Sequence, residues 1–534
     1  MGPFCLWQPS VASPRPVRPY SFLTVFDLVL SSPPSLSRQD WVPRYWSRLN
    51  LECRSGADVF EALFSASAIA TLLESPDRVD GAPQQLIRYS LCAGAPRHIA
   101  GQPQLFTPAI GDIFPTLATL LQTSGSKASD SQVSGPQASD CKTLAPAPSA
   151  PWVATTSPHT PPDDLPFMGG WLGWLGFDAA WEIETLPYLK EDSLPFPVAY
   201  WYEPEQFAVL DHQRQHLWLA ATALDGLEAM VQRLETYGPV PHPQADPVLQ
   251  TDPVPQTVTL SSQQAEFETA VQKAKYHIRA GDVFQVNLSL RFETQTRRSP
   301  WQLYRQLHQI NPSPFASYWK TPWGHVISCS PERLVQLSGQ TAQTRPIAGT
   351  RPRGHTPAAD QQFAKTLQAN RKEQAEHIML VDLERNDLGR VCAWGSIQVD
   401  ELMVVERYSH VMHLVSNVVG TLRDDQTVID LMRATFPGGT ITGCPKVRCM
   451  EIIETLEPLR RSLFYGSCGY LDVRGYLDLN ILIRTLLLAP TEHGAYSVWG
   501  QVGAGIVADS NPHQEWLESL QKAQAQLLAL GVSI

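Results

Sequence analysis

The sequence predicts an α+β fold. Three features carry that expectation. The run Phe167-Met-Gly-Gly-Trp-Leu-Gly-Trp-Leu-Gly-Phe177 alternates glycine with large apolar residues, the pattern of strands whose backbones approach closely. Residues 207–220 read as strand, turn and strand around Asp211-His212. Further along, helical spacing over 262–279 gives way to alternation over 283–292. The first half is therefore mainly sheet with some helix, and the second half mixes the two.

Taken in order, the C-terminal helices begin with 262–279, entered through a Ser-Ser pair suited to capping. Apolar spacing then marks helices over 358–387, 427–436, 447–456 and 512–530. Two stretches interrupt the pattern. Residues 122–162 are rich in Ser, Pro, Ala and Thr, lack large apolar side chains, and read as a disordered insertion. Residues 237–256 repeat Pro-Val and Pro-His steps that disfavour helix and read as a linker. No fixed-period repeat is present, which sets aside solenoids and propellers.

A length of 534 residues exceeds what one small core serves and implies two domains or one large composite. A net charge of −11 opposes general affinity for nucleic acid or anionic membrane, so an anionic ligand needs locally gathered cations. Nine cysteines without regular spacing fit a reducing compartment better than a disulfide framework. The first 19 residues lack a signal-peptide core, and no apolar run approaches the roughly 20 residues that span a bilayer. The expected location is the cytoplasm.

Two carboxylate pairs, Glu373 with Glu376 and Glu515 with Glu518, stand at i,i+3 on predicted helices and share a face. The first runs into His377-Ile-Met-Leu-Val381 and the second follows Gly503-Ala-Gly-Ile-Val507, so both face apolar surroundings where carboxylates need a partner. A hard cation such as Mg²⁺ supplies one. The segment Phe436-Pro-Gly-Gly-Thr-Ile-Thr-Gly-Cys-Pro-Lys446 is a loop entering a helix, where free backbone N–H groups can meet an anion. Lys446, Arg448 and Arg484 are candidate local cations, each with a surface salt bridge as the alternative. His413, between Met412 and Leu414, is either a core histidine or a proton-transfer group.

Together these segments resemble the chorismate-utilising family that includes anthranilate synthase component I and aminodeoxychorismate synthase component I. Further motifs carry the likeness: Pro346-Ile-Ala-Gly-Thr-Arg-Pro-Arg-Gly354, Glu376-His-Ile-Met-Leu-Val-Asp-Leu-Glu-Arg-Asn-Asp-Leu-Gly-Arg390, Pro445-Lys-Val-Arg448 and Gly503-Ala-Gly-Ile-Val-Ala-Asp-Ser510. The resemblance implies two orthogonal antiparallel β-sheets flanked by helices. It also implies an N-terminal extension over 1–19, an N-terminal region over 20–256 and a chorismate-binding catalytic domain over 257–534. Transferred position by position, Glu376 and Glu518 correspond to the principal Mg²⁺ ligands, with Glu373 and Glu515 supporting. Gly349, Thr350, Phe464, Arg484, Gly503, Ala504 and Gly505 correspond to substrate contacts. His413, Glu332 and Lys446 are the catalytic candidates. Ser75, Pro314, Phe315 and Ala316 match a possible tryptophan pocket, whose neighbourhood includes Leu72-Leu-Glu-Ser75 and Arg88-Tyr-Ser90.

Within the family, relatives that add water carry a lysine base where this chain has Gln285, and glutamine cannot serve as a base. Ammonia from a separate glutamine amidotransferase subunit is the expected nucleophile. Gln285-Val-Asn-Leu, Asn311-Pro-Ser-Pro-Phe-Ala-Ser317 and Ser330-Pro-Glu-Arg333 resemble the aminodeoxychorismate enzymes. Ala348 resembles the anthranilate enzymes and excludes a covalent lysine route. The leading expectation is 4-amino-4-deoxychorismate, with anthranilate plus pyruvate as the alternative and a non-catalytic tryptophan-binding protein as a lesser one.

Overall fold

The computed structural model describes residues 45–75, 86–122, 160–238, 257–354, 356–408 and 411–532. The expected N-terminal extension, most of the insertion and most of the linker lie outside these residues.

Two large sheets dominate, and every strand pair in them is antiparallel. The first runs from Tyr45–Asn50 through His216–Ala221, Gln206–Asp211, Tyr89–Ala93, Ala70–Glu74, Phe315–Thr321, Gly324–Ser330, Thr485–Pro490 and Tyr496–Ile506 to Gln285–Thr296 and Thr259–Leu260. The second begins with Ile347–Pro352 and Val411–Thr421 and ends with Gly170–Leu175, Ala199–Tyr202 and Leu105–Phe106. Strands from both sides of residue 256 enter each sheet, and the described residues make one compact unit.

Period-two alternation assigns side chains to layers. Phe207 and Val209 point into the core that also holds Trp171, Trp174, Trp319 and Leu487, while their neighbours Ala208 and Leu210 join a second core with Phe60, Leu227, Leu303 and Leu527. The first core takes side chains from both sheets; the second lies between the first sheet and helices Gly56–Leu63, Leu224–Tyr237, Pro300–Ile310 and Pro512–Leu530. A third packs helices Gln264–Ala280 and Lys446–Leu456 against the end of the first sheet. Strands buried on both faces explain the continuous apolar runs in the sequence.

Helix boundaries depart from the periodicity in two places. The Gln264–Ala280 helix is capped by Gln263 and Glu266 in a capping box, not by the Ser-Ser pair, because Ser261 accepts a hydrogen bond from the Arg291 N–H at 3.0 Å. The single run expected over 358–387 is two helices, Pro357–Ala369 and Arg371–Gly389. Asn370 leaves helical geometry and accepts from the N–H groups of Lys372 and Glu373, which starts the second helix and puts Glu373 in its first turn. The Pro512–Leu530 helix has the expected bounds.

Gly173 shows why glycine recurs in the aromatic run. It pairs with Trp201, and a Cβ there would lie 2.0 Å from the Tyr200 carbonyl oxygen and 2.5 Å from the Trp201 ring. Gly173→Ala should therefore cost about 1–3 kcal/mol of stability, the usual range for an overpacked core. Urea unfolding measures it, and a change within 0.5 kcal/mol, about that of a neutral surface substitution, would contradict this packing.

Candidate active site

The four glutamates of the two pairs come from two helices, Arg371–Gly389 and Pro512–Leu530. Glu376 accepts from Gln285 Nε2 at 3.0 Å; burial raises its pKa, and the nearby Glu518 charge raises it further. Burial likewise raises Glu515, which is also repelled by Glu518. Glu518 is half exposed and pairs with Lys522 at 2.9 Å, while Lys522 also donates to the Gly503 carbonyl at 2.9 Å. Glu373 pairs with Arg351 at 2.7 Å, and its Oε2 is buried without a hydrogen-bond partner. Among the described residues no three acidic, His or Cys side chains converge closely enough to hold a metal ion.

Gly349 lets Glu373 approach. It sits at φ +62° where the pairing of Ile347–Pro352 with Val411–Thr421 slips, and a Cβ would lie 1.9 Å from Glu373 Oε2. Directly across this bulge, Thr350 pairs with His413. The His413 Nδ1 lies 3.3 Å from the Gly349 carbonyl oxygen and 3.1 Å from the Thr350 hydroxyl. A carbonyl only accepts, so Nδ1 carries the proton and Nε2, buried and unpartnered, keeps a lone pair. Burial, helped by the Arg484 charge, pushes the His413 pKa down to about 3, so the ring is neutral at physiological pH. His413 lines a small cavity with Asn311, Pro331, Tyr408 and Arg484. Arg484 occupies φ +51°, and among the described residues its guanidinium makes no ion pair.

Behind this cavity lies a buried charged cluster. Glu332 has its pKa pushed up to about 7 by burial, against the opposing pull of the Thr440 hydroxyl, the Ile347 backbone and Arg484. Glu384 is pushed up to about 8, by burial first and by Asp387 second. Lys446 donates to Asp387 at 2.7 Å and to the Thr435 carbonyl at 3.1 Å. Its pairing is internal, not on the surface. Arg448 pairs with Glu451 and Asp282 at the surface. Of the three cations read from the sequence, only Arg484 is uncommitted.

The remaining candidates divide. Gly503 and Gly505 pair with Ser289 and Asn287, while the Ala504 methyl points into the third core, leaving only its backbone for a ligand. Phe464 is buried in the main core, with the Arg291 guanidinium 5.5 Å from its ring centroid. Ser75, Pro314, Phe315 and Ala316 meet in a second cavity that also includes Tyr89, Ser90, Arg333 and Asp478. There the Ser75 hydroxyl contacts the carbonyls of Leu86 and Pro314 at 3.1 and 3.2 Å. Pro314 borders both cavities. Asn287, Tyr408, Glu384 and Asp387 were not singled out by sequence reasoning. For Glu384 and Asp387 a signal existed, since they share the apolar face of Leu380, Leu383 and Leu388.

A family model for chorismate binding enzymes matches residues 122–528. The chain belongs to the chorismate-binding enzyme family. It is 53% identical over 511 residues to an anthranilate synthase component I-like protein of Synechocystis sp., covering 95% of this chain and 96% of that one. It is 44% identical over 391 residues to aminodeoxychorismate synthase component 1 of Bacillus subtilis, covering 72% and 81%. Among solved structures it resembles anthranilate synthase component I from Streptococcus pneumoniae, with a TM-score of 0.65 at 30% identity over 82% of this chain and 92% of that one. The expected fold of large antiparallel sheets with flanking helices is thus found in this family member. Among the described residues no helix is long and apolar enough to cross a membrane.

The raised Glu332 pKa has a consequence for stability. The unfolded chain releases this proton near pH 4.3, roughly, but the folded protein keeps it to about pH 7, so stability falls between those values and stays lower above them. Glu332→Gln should remove that loss and gain about 3–4 kcal/mol at pH 8, with little gain at pH 4. Urea unfolding at both pH values reads the difference; equal stability at pH 8 contradicts the burial argument.

Proposed function

We propose that this chain aminates chorismate with ammonia to give 4-amino-4-deoxychorismate, as the synthase component fed by a separate glutamine amidotransferase subunit. The observation that carries the reading is the identity and setting of Gln285. It is 3% exposed and held against Glu376 by its own amide, so the group beside the carboxylates cannot take a proton from water. Ammonia attacks without such a base.

Arg484, the uncommitted cation of the small cavity, suits a substrate carboxylate. Glu332, whose pKa of about 7 keeps it partly protonated at neutrality, suits proton donation to the departing C4 hydroxyl. His413, neutral with Nε2 free, suits accepting a hydrogen bond from the substrate, while a pKa of about 3 makes it a weak base. Lys446, at the start of the Lys446–Leu456 helix, acts from behind by holding Asp387 at the end of Arg371–Gly389 in place.

The donor chemistry suits Mg²⁺, because Glu518 repels both Glu376 and Glu515 and Glu373 Oε2 lacks a partner, although these carboxylates do not converge on one point as they stand. Glu376 and Glu518, supported by Glu373 and Glu515, would hold the ion. When bound, it would neutralise these carboxylates beside a dianionic substrate and polarise that substrate. The second cavity, with Ser75, Pro314, Phe315 and Ala316, is our candidate for tryptophan.

A second reading, release of anthranilate and pyruvate, is favoured by Ala348 and by the name of the Synechocystis relative. The two readings differ in the ring carbon that receives nitrogen, C4 for aminodeoxychorismate and C2 for anthranilate, and, in the second, in a base that then removes the ring proton and expels pyruvate. Incubation with chorismate, Mg²⁺ and ammonium, followed by chromatography without added lyase, should yield aminodeoxychorismate; fluorescent anthranilate with equal pyruvate would establish the second reading instead.

Glu376→Gln and Glu518→Gln should each lower ammonium-dependent turnover at least about 100-fold, the scale for losing a metal contact in a site of this kind, with melting temperatures little changed. Near-normal turnover with unaltered Mg²⁺ demand would remove these residues from the metal site.

A further inference from the structure

Two buried amide oxygens beside the carboxylates have no hydrogen-bond partner among the described residues: Gln285 Oε1 and Asn287 Oδ1. Gln285 is 3% exposed and Asn287 8%, and both lie on one face of the Gln285–Thr296 strand because they are two residues apart. An unpaired buried acceptor costs on the order of 1–3 kcal/mol, so adjacent examples call for a shared donor. Glycines on the facing strand let both amides lie tight against it, which leaves room only for a small ligand. A Cβ on Gly503 would come 2.9 Å from Asn287 Oδ1 and 2.8 Å from the Tyr465 hydroxyl, and one on Gly505 would come 2.3 Å from Gln285 Nε2.

The ligand must donate and must be small. Anions are disfavoured, because both free atoms are acceptors and Glu376 stands next to Gln285. The next inward polar group, the Ser289 hydroxyl, is already engaged by Gln501 Nε2 at 2.6 Å, so the acceptor pair ends at Asn287.

We propose that Asn287, with Gln285, forms a docking site for ammonia, in which the two amide oxygens accept N–H bonds from the nitrogen nucleophile and aim its lone pair toward the ring. This rests on the amination reading above. Asn287 is then a positioning residue whose removal weakens ammonia binding and leaves chorismate binding intact.

The test compares Asn287→Val with the near-isosteric Asn287→Thr, which keeps an acceptor oxygen, after thermal melting shows which of them fold. With Mg²⁺ and saturating chorismate, the Val variant should raise the KM for ammonium by about fivefold, the equivalent of one neutral hydrogen bond, with the KM for chorismate unchanged. The Thr variant should raise it less. Equal ammonium KM values in Val variant and wild type overturn the proposal, as does a parallel rise in the chorismate KM, which would make Asn287 a contact to the ring. If Val does not fold, a wild-type ammonium KM in an Asn287→Ala variant overturns it equally. Failure of the wild-type chain to consume chorismate with ammonium would instead reject the amination reading itself.

Discussion

The long antiparallel pairing of Gln285–Thr296 with Tyr496–Ile506 is the constraint on which the site depends. Its register runs from Val286 opposite Ile506 to Thr296 opposite Tyr496, and it places Asn287 opposite Gly505 and Ser289 opposite Gly503. A one-residue slip would send Gln285 and Asn287 into the apolar core and bring Val286 and Leu288 out in their place. Both strands are fastened on that apolar side by Val286, Leu288, Ala504 and Ile506, which pack with Val271, Ile453 and Trp516. Apolar packing on one face thus sets the position of polar groups on the other.

The second sheet is brought to this strand pair by different means. Arg371–Gly389 carries Glu376 to Gln285, while its buried His377 contacts the Ser416 hydroxyl at 2.6 Å and so ties the helix to the Val411–Thr421 strand that presents His413. The bulge at Gly349 joins the same parts from the other direction, since only a glycine there lets Glu373 lie against the strand. The carboxylates, the neutral imidazole and the free guanidinium of Arg484 therefore belong to separate elements, each held by contacts outside the site. Their relative positions are thus fixed by packing on the far side of each element and not by contacts among themselves.

Much of this was legible in the sequence, because the signals were local. The Pro512–Leu530 helix and the pairing of Glu515 with Glu518 follow from spacing alone, and the glycine-rich motif at 503–507 marks close backbone approach. The break at Asn370 was missed because a capping asparagine inside a helical pattern is locally indistinguishable from a tolerated polar residue. Lys446 read as a cation for substrate, yet its charge is spent on Asp387, 59 positions earlier in the chain. No periodicity carries such a pairing. The free oxygens of Gln285 and Asn287 were invisible for a related reason: an unsatisfied atom is defined by what tertiary structure fails to bring near it.

Charge placement explains how an acidic chain accommodates an anionic substrate class. Most arginines close to the site are already neutralised: Arg333 by Asp478, Arg345 by Glu406, Arg351 by Glu373 and Arg461 by Glu457. Arg484 differs because Glu332, the carboxyl whose charge acts on it, has its pKa pushed up to about 7 by burial and so cancels the guanidinium charge only in part at neutrality. Were Glu332 ionised, the cavity would lose much of its attraction for a carboxylate. The burial that raises the Glu332 pKa therefore also lessens the negative charge beside Arg484, so one side chain's desolvation sets the electrostatics of its neighbour.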